Sequence, residues 1–276
     1  MITQKNLSMK LDDIFNRLWI DYTNQNPSAL KVYELFTNAG EKVENDHIAF
    51  RTFDDQRVNI NVLSRIFIEN GYVEKGEYFF KDKHLYAKHF EHISDKNMPR
   101  VFISELITKD FSPFIQQTVK DLLDEPASVK YNSDDLIFSG NIWGKPDYET
   151  YLKLRDESEY AAWVYVYGFR ANHFTVSINS LKKYNTIEKV NHVIKDNGFL
   201  LNSSGGEIKG TKEELLQQSS TMANHINVEF NDKVYSIPGC YYEFAQRFTD
   251  TSGELYSGFI AKSADKIFES TNYYKK

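Results

Sequence analysis

The chain has 276 residues, 41% hydrophobic and 26% charged, enough for one large or two ordinary domains with buried cores and unlike a disordered composition. A net charge of -6 at pH 7 argues against a nucleic-acid surface as the main function. The one cysteine, Cys240, excludes an intrachain disulfide framework or a CxxC metal site and fits a reduced, cytoplasmic setting; Met1 to Lys10 has no signal-peptide core, and no stretch approaches the roughly 20 apolar residues of a membrane span.

Leu11, Ile14, Phe15, Leu18 and Trp19 fall at helical spacing, and a second helix begins at Pro27 and ends near Gly40, so residues 1–45 read as a helical preface. Asp46 to Phe53 is rich in β-branched and aromatic residues and predicts a strand that places His47, Ala49, Arg51 and Phe53 on one face. Asn59 to Asn70 predicts a helix stopped by Gly71. Tyr72 to Ile93 predicts a strand pair, Pro99 to Ile107 a strand and Asp110 to Leu123 a helix. Together these make a first βαβββ module over 46–123. Residues 124–171 read as a connecting region of lower order, containing one strand-length apolar run, Ala161 to Phe169.

The second half, 172–276, repeats the first. Asn172 to Asn179 is again a strand with histidine in second place. Thr186 to Phe199 (TIEKVNHVIKDNGF) then matches Asn59 to Tyr72 (NINVLSRIFIENGY) in its apolar positions and its Asn-Gly-aromatic ending. Phe102 to Leu106 and Tyr241 to Phe244 end the two modules alike, which aligns Glu105 with Glu243. Two βαβββ modules predict an α+β fold in which a curved mixed sheet, or half-barrel, encloses a cleft lined by the first strand of each module.

His47, His173 and a carboxylate from a third strand form the ligand set of a facial triad, which suits Fe(II) and leaves positions open; the same set can hold catalytic zinc. Spacing leaves Glu243 and Glu105 both open as the third ligand. The plain alternative is a buried histidine satisfied by backbone and an arginine paired with a structural acid.

The segments DHIAFRTF (46–53), NHFTVSIN (172–179), LLQQSST (215–221), IPGCYYEFAQR (237–247) and GFIAKSADKIF (258–268) resemble the 2-oxoadipate dioxygenase/decarboxylase family, relatives of the vicinal oxygen chelate and glyoxalase-like enzymes. The resemblance implies Fe(II) held by His47, His173 and Glu243. It also implies a substrate carboxylate held by Arg51 and a further substrate contact from Ser263, beside Lys262, on a C-terminal segment returning to the site. It implies that a 2-oxo acid and O₂ are the partners, 2-oxoadipate giving 2-hydroxyglutarate and CO₂. A zinc hydrolase, a glyoxalase-like isomerase and a small-acid binding protein are the other readings.

Thr211 and Glu214 read as a capping box opening a helix. Gln218 on that helix is either a support for the metal ligands or part of a solvated face, and Arg247 is a further support near Glu243. Ser203 to Gly210 reads as a loop or lid. His84, His89 and His92 do not share one strand face and are set aside as metal ligands, as are His192 and His225.

Overall fold

The computed structural model describes residues 9–124 and 134–271. The preface forms two helices, α1 (Leu11–Gln25) and α2 (Pro27–Asn38). The first module follows as β1 (Asn45–Phe53), α3 (Ile60–Leu63), α4 (Arg65–Glu69), β2 (Tyr72–Phe80), β3 (Leu85–His92) and β4 (Arg100–Leu106). The helix expected over Asn59 to Asn70 is broken at Ser64, whose position ends α3 and starts α4. Helix α5 (Pro113–Asp124) closes the module.

The connecting region is more ordered than its composition implies, although its residues 125–133 lie outside the described residues. It holds α6 (Tyr148–Glu157) and α7 (Glu159–Tyr167). The apolar run expected at strand length is therefore a helix. Ser158 caps its start by accepting from the Ala161 amide, and Gly168 ends it at φ +67°. Buried on every side, α7 shows no periodicity that could separate helix from strand.

The second module runs β5 (Ala171–Ser177), α8 (Ile187–Asp196), β6 (Leu216–Ser220), β7 (His225–Glu229), β8 (Val234–Pro238), β9 (Tyr241–Arg247) and α9 (Ala261–Ile267). The helix expected after Thr211 is instead strand β6. Thr211 does accept from the Glu214 amide, but Leu215 turns the chain at φ +65° and the following backbone pairs antiparallel with β9. Its polar side chains Gln218, Ser219 and Ser220 are buried rather than solvated.

One seven-stranded sheet carries both modules in the order β2-β3-β4-β1-β5-β9-β6, while β7 and β8 form a separate hairpin. Each module pairs its first strand in parallel with its last, and the modules meet where β1 runs antiparallel to β5. The repeat is incomplete: where the first module has β2, the second has only the bridges Leu201 to Thr221 and Lys209 to Gln218. Helices cover one face of the sheet, with Trp19 and Tyr22 of α1 on Phe174 and Phe67 of α4 on Phe50. The opposite, concave face carries His47 and Arg51 and is covered by α7 and α9. This is the α+β half-barrel of paired modules expected from the repeat.

Candidate metal centre

The register of the central strands builds the site. His47 pairs with Thr175 and Ala49 with His173, so the two histidines lie diagonally across Ile48 and Phe174 on one face of the β1/β5 pair. Thr175 pairs in turn with Glu243, and Glu243 with Ser220, which extends the row from β1 through β5 and β9 to β6. Ligand atoms of His47, His173 and Glu243 lie within 4.8 Å of one another, and all three residues are buried. Glu243 Oε2 is 3.2 Å from His173 Nε2, and Oε1 is 3.6 Å from His47 Nε2.

The same register separates the two acids that the sequence aligned. His47 faces Arg100 as His173 faces Tyr241, so the position matching Glu243 in the first module is Phe102. Glu105 lies on the other face, where its carboxylate accepts from the Ile60 amide at 2.9 Å at the start of α3. It is remote from the histidines by geometry, not by sequence.

Each histidine is oriented by the residue before it. His47 Nδ1 donates to Asp46 at 2.8 Å and His173 Nδ1 to Asn172 at 2.9 Å, which leaves both Nε2 atoms unprotonated on the side of Glu243. The Thr175 hydroxyl donates to His47 Nε2 at 3.1 Å. Asp46 is gripped by Arg247 through two hydrogen bonds of 2.7 and 2.9 Å, and Arg247 also donates to the Tyr256 and Gly258 carbonyls. Gln218 donates to Glu243 at 2.5 Å. Asp46 and Asn172 are not singled out in the sequence reading; the signal for them is the Asx that precedes each repeated histidine.

The protonation states follow from these contacts. Burial pushes the Glu243 pKa up, but the adjacent histidines and the Gln218 hydrogen bond outweigh it and hold the carboxyl below its usual value. Burial lowers His173 below the ordinary imidazole value despite the nearby Glu243. A charged carboxylate and an imidazole kept neutral are the forms that bind a cation. The donor set therefore fits a divalent metal, with Gln218 Oε1 and the Tyr241 hydroxyl also buried and without hydrogen-bond partners.

A cavity of about 20 Å³ adjoins the cluster, lined by Phe102, Tyr241, Phe259, Ile267 and Phe268 among others. The Tyr241 ring stacks on His173 with centroids 4.6 Å apart, and Phe259 meets His47 edge-on at 4.8 Å. Arg51 is buried deeper, donating to Glu159 at 3.3 Å and to the Thr271 hydroxyl at 3.4 Å beside the rings of Tyr160, Trp163 and Phe268. Ser263 is buried on α9 near Gly210 and is not among the cavity-lining residues; Lys262 is exposed. His89 bonds to Tyr78 and Glu91, His84 to Asp110, and His92 accepts from the Asp95 amide, while His192 and His225 are exposed.

Paired modules sharing one curved sheet give the chain a glyoxalase-like fold: a protein of Ralstonia eutropha JMP134 assigned to the glyoxalase superfamily superposes with a TM-score of 0.71 at 17% identity over 88% of this chain and 83% of that one. Within it, residues 14–253 match the family model for 2-oxoadipate dioxygenase/decarboxylase, and the chain belongs to that family. A chloroplastic/amyloplastic 2-oxoadipate dioxygenase/decarboxylase of Oryza sativa subsp. japonica is 36% identical over 275 residues, covering 91% of this chain and 76% of the relative. The structure of a hydroxyglutarate synthase from Oryza sativa, in complex with 2-oxoadipate, superposes with a TM-score of 0.88 at 34% identity over 94% of this chain and 91% of that one. A protein of Shewanella frigidimarina NCIMB 400, described provisionally as a hydrolase, is 49% identical with a TM-score of 0.85 over 91% of this chain and 97% of that one.

Proposed function

We propose that the protein is an Fe(II)-dependent dioxygenase that decarboxylates a 2-oxo dicarboxylic acid, converting 2-oxoadipate and O₂ to 2-hydroxyglutarate and CO₂. The reading is carried by one observation, the buried convergence of His47, His173 and Glu243 within 4.8 Å in a chain of this family. His47 and His173 would hold the metal through Nε2 and Glu243 through its carboxylate. A bound Fe(II) would supply the open positions at which a 2-oxo acid and O₂ meet.

The chain's own residues do the rest. Asp46 and Asn172 keep the imidazoles facing the centre, Arg247 holds Asp46, and Gln218 holds Glu243. Arg51 would take the distal carboxylate of the substrate, which fixes the chain's direction as well as balancing its charge. Ser263 would add a contact from α9. The unpartnered Tyr241 hydroxyl is available to an oxygen atom of the substrate. The aromatic wall of Phe102, Phe259 and Phe268 keeps water from the reacting carbon. Cytoplasmic residence belongs to the same proposal, supported by a single, buried cysteine.

The test is oxygen uptake by the Fe(II)-reconstituted protein across 2-oxo acids of increasing length, with His173→Ala as control. Uptake and CO₂ release with 2-oxoadipate, lost in the variant, are expected. Uptake only with another 2-oxo acid reassigns the substrate. Full turnover with Zn²⁺ and no O₂ would replace this reading by a hydrolase or isomerase. Tight acid binding indifferent to His47→Ala and His173→Ala would replace it by a binding protein.

A further inference from the structure

Arg51 is 1% exposed, and among the described residues the carboxylate it pairs with is Glu159, through one long contact of 3.3 Å. Its Nε has no hydrogen-bond partner. A buried guanidinium with one loose ion pair and a spare donor is incompletely satisfied, since its planar fork suits two parallel bonds to one carboxylate. Glu159 differs from a structural counter-ion in its location. It opens α7, its side chain is 20% exposed, and it lines a cleft of about 1080 Å³ together with Tyr160 and Phe268. Phe268 also lines the small cavity at the His47/His173/Glu243 cluster. Cleft and metal cavity are thus adjoining compartments with Phe268 on the wall of both.

The cavity of about 20 Å³ has room for about one water, far less than a six-carbon acid requires. With Arg51 taking the distal carboxylate as proposed above, a substrate entering from the cleft would pass Phe268 and bring its far end to the guanidinium that Glu159 already holds. Two carboxylates cannot share one contact on a buried guanidinium without repulsion.

Building on the function proposed above, we propose that Glu159 is a specificity-determining residue: its carboxylate holds Arg51 in the substrate-free protein and is exchanged for the distal carboxylate of the incoming 2-oxo dicarboxylate, swinging into the cleft. Arg51 thus favours an acid with a distal carboxylate, and Glu159, by competing for the same guanidinium, sets how large that preference is. An acid with a distal carboxylate replaces the ion pair it breaks, whereas one with a methyl end leaves Arg51 and Glu159 as they were and gains nothing from them.

Glu159→Gln keeps the shape and removes the competing charge. The Fe(II)-reconstituted variant is expected to show a KM for 2-oxoadipate about three- to tenfold below that of the unaltered protein, the scale of a partly exposed ion pair. Its preference for 2-oxoadipate over 2-oxohexanoate, as a ratio of kcat/KM, is expected to rise by the same factor. Glu159→Asp retains the charge on a side chain one methylene shorter, and its KM is expected to lie between those of the unaltered protein and Glu159→Gln. An unchanged or higher KM in Glu159→Gln, or an equal change with both acids, would overturn the proposal. Glutarate binding by calorimetry on the same proteins needs no turnover and separates the two claims. If no 2-oxo acid is consumed, the oxygenase reading fails, and glutarate affinity then decides the exchange alone: tighter binding by Glu159→Gln supports it, equal or weaker binding overturns it.

Discussion

Asn172 and Asp46 occupy matching places one residue before the two histidines, yet they are not equivalent. Asn172 offers a neutral amide oxygen, and its other side-chain atom, Nδ2, has no partner. Asp46 offers a full charge, itself compensated by Arg247. Burial raises the Asp46 pKa, but Arg247 and the His47 hydrogen bond dominate and hold it well below the usual carboxylate value. Removing the amide in Asn172→Ala should therefore free the His173 ring without stranding a charge, and divalent-metal affinity should fall about 10- to 100-fold in a chelator-competition titration. Arg247→Met should act mainly on the fold. It leaves Asp46 buried without its principal counter-ion, and denaturant unfolding should report a loss of about 3–5 kcal/mol. A loss below about 1 kcal/mol would mean that Arg100, 3.6 Å from Asp46, takes over. The pairing of Asp46 with Arg247 was invisible in the sequence because β1 and β9 are joined only through β5.

Among elements, the segments whose periodicity survives burial were the legible ones. The helix at Thr186 to Phe199 and the β2/β3 pair follow from helical or alternating spacing, whereas strand β1, buried on both faces, follows from its β-branched and aromatic content. Helix α7 and strand β6 did not, for opposite reasons: one is apolar all round, and the other is polar yet buried. The third ligand illustrates the same limit. A motif alignment set Glu105 against Glu243, but a shift of three positions in register puts Phe102 there and sends Glu105 to the other face. The preface is tied to the second module by a device equally hidden from pattern. Glu41, just beyond α2, accepts from the amides of Lys182, Lys183 and Tyr184 at 2.7, 2.6 and 3.0 Å. Burial opposes its ionisation, but these three amides hold its pKa below the ordinary value. A depressed carboxylate stabilises the fold above its unfolded pKa of about 4.3, and the gain is lost as pH falls through the folded value. Glu41→Gln should thus be about 1–3 kcal/mol less stable than the unaltered protein at pH 7, the gap closing in thermal melts as pH falls below about 4. A gap independent of pH would show that shape, not charge, makes the clamp.

For the whole molecule, the three proposed ligands come from β1, β5 and β9, so a bound ion would join the two modules across their shared boundary. Metal that binds the folded chain and not the unfolded one adds stability by mass action, about 4 kcal/mol at a thousandfold excess over Kd. Removing metal with a chelator should lower the melting temperature, readdition of a divalent ion should restore it, and Glu243→Gln should melt at one temperature in both conditions. Equal melting of the unaltered protein with and without metal would separate metal binding from folding.

The ladder position shared by Phe102 and Glu243 carries a consequence for ancestry. Two identical modules related by a true two-fold axis would be obliged to present the same residue at both places, either two carboxylates crowding one ion or two rings and no anion at all. Joining the modules in one chain lifts that obligation. One copy keeps the charge while the other supplies an oily wall, and the centre acquires a front and a back that no symmetric pair of modules could have.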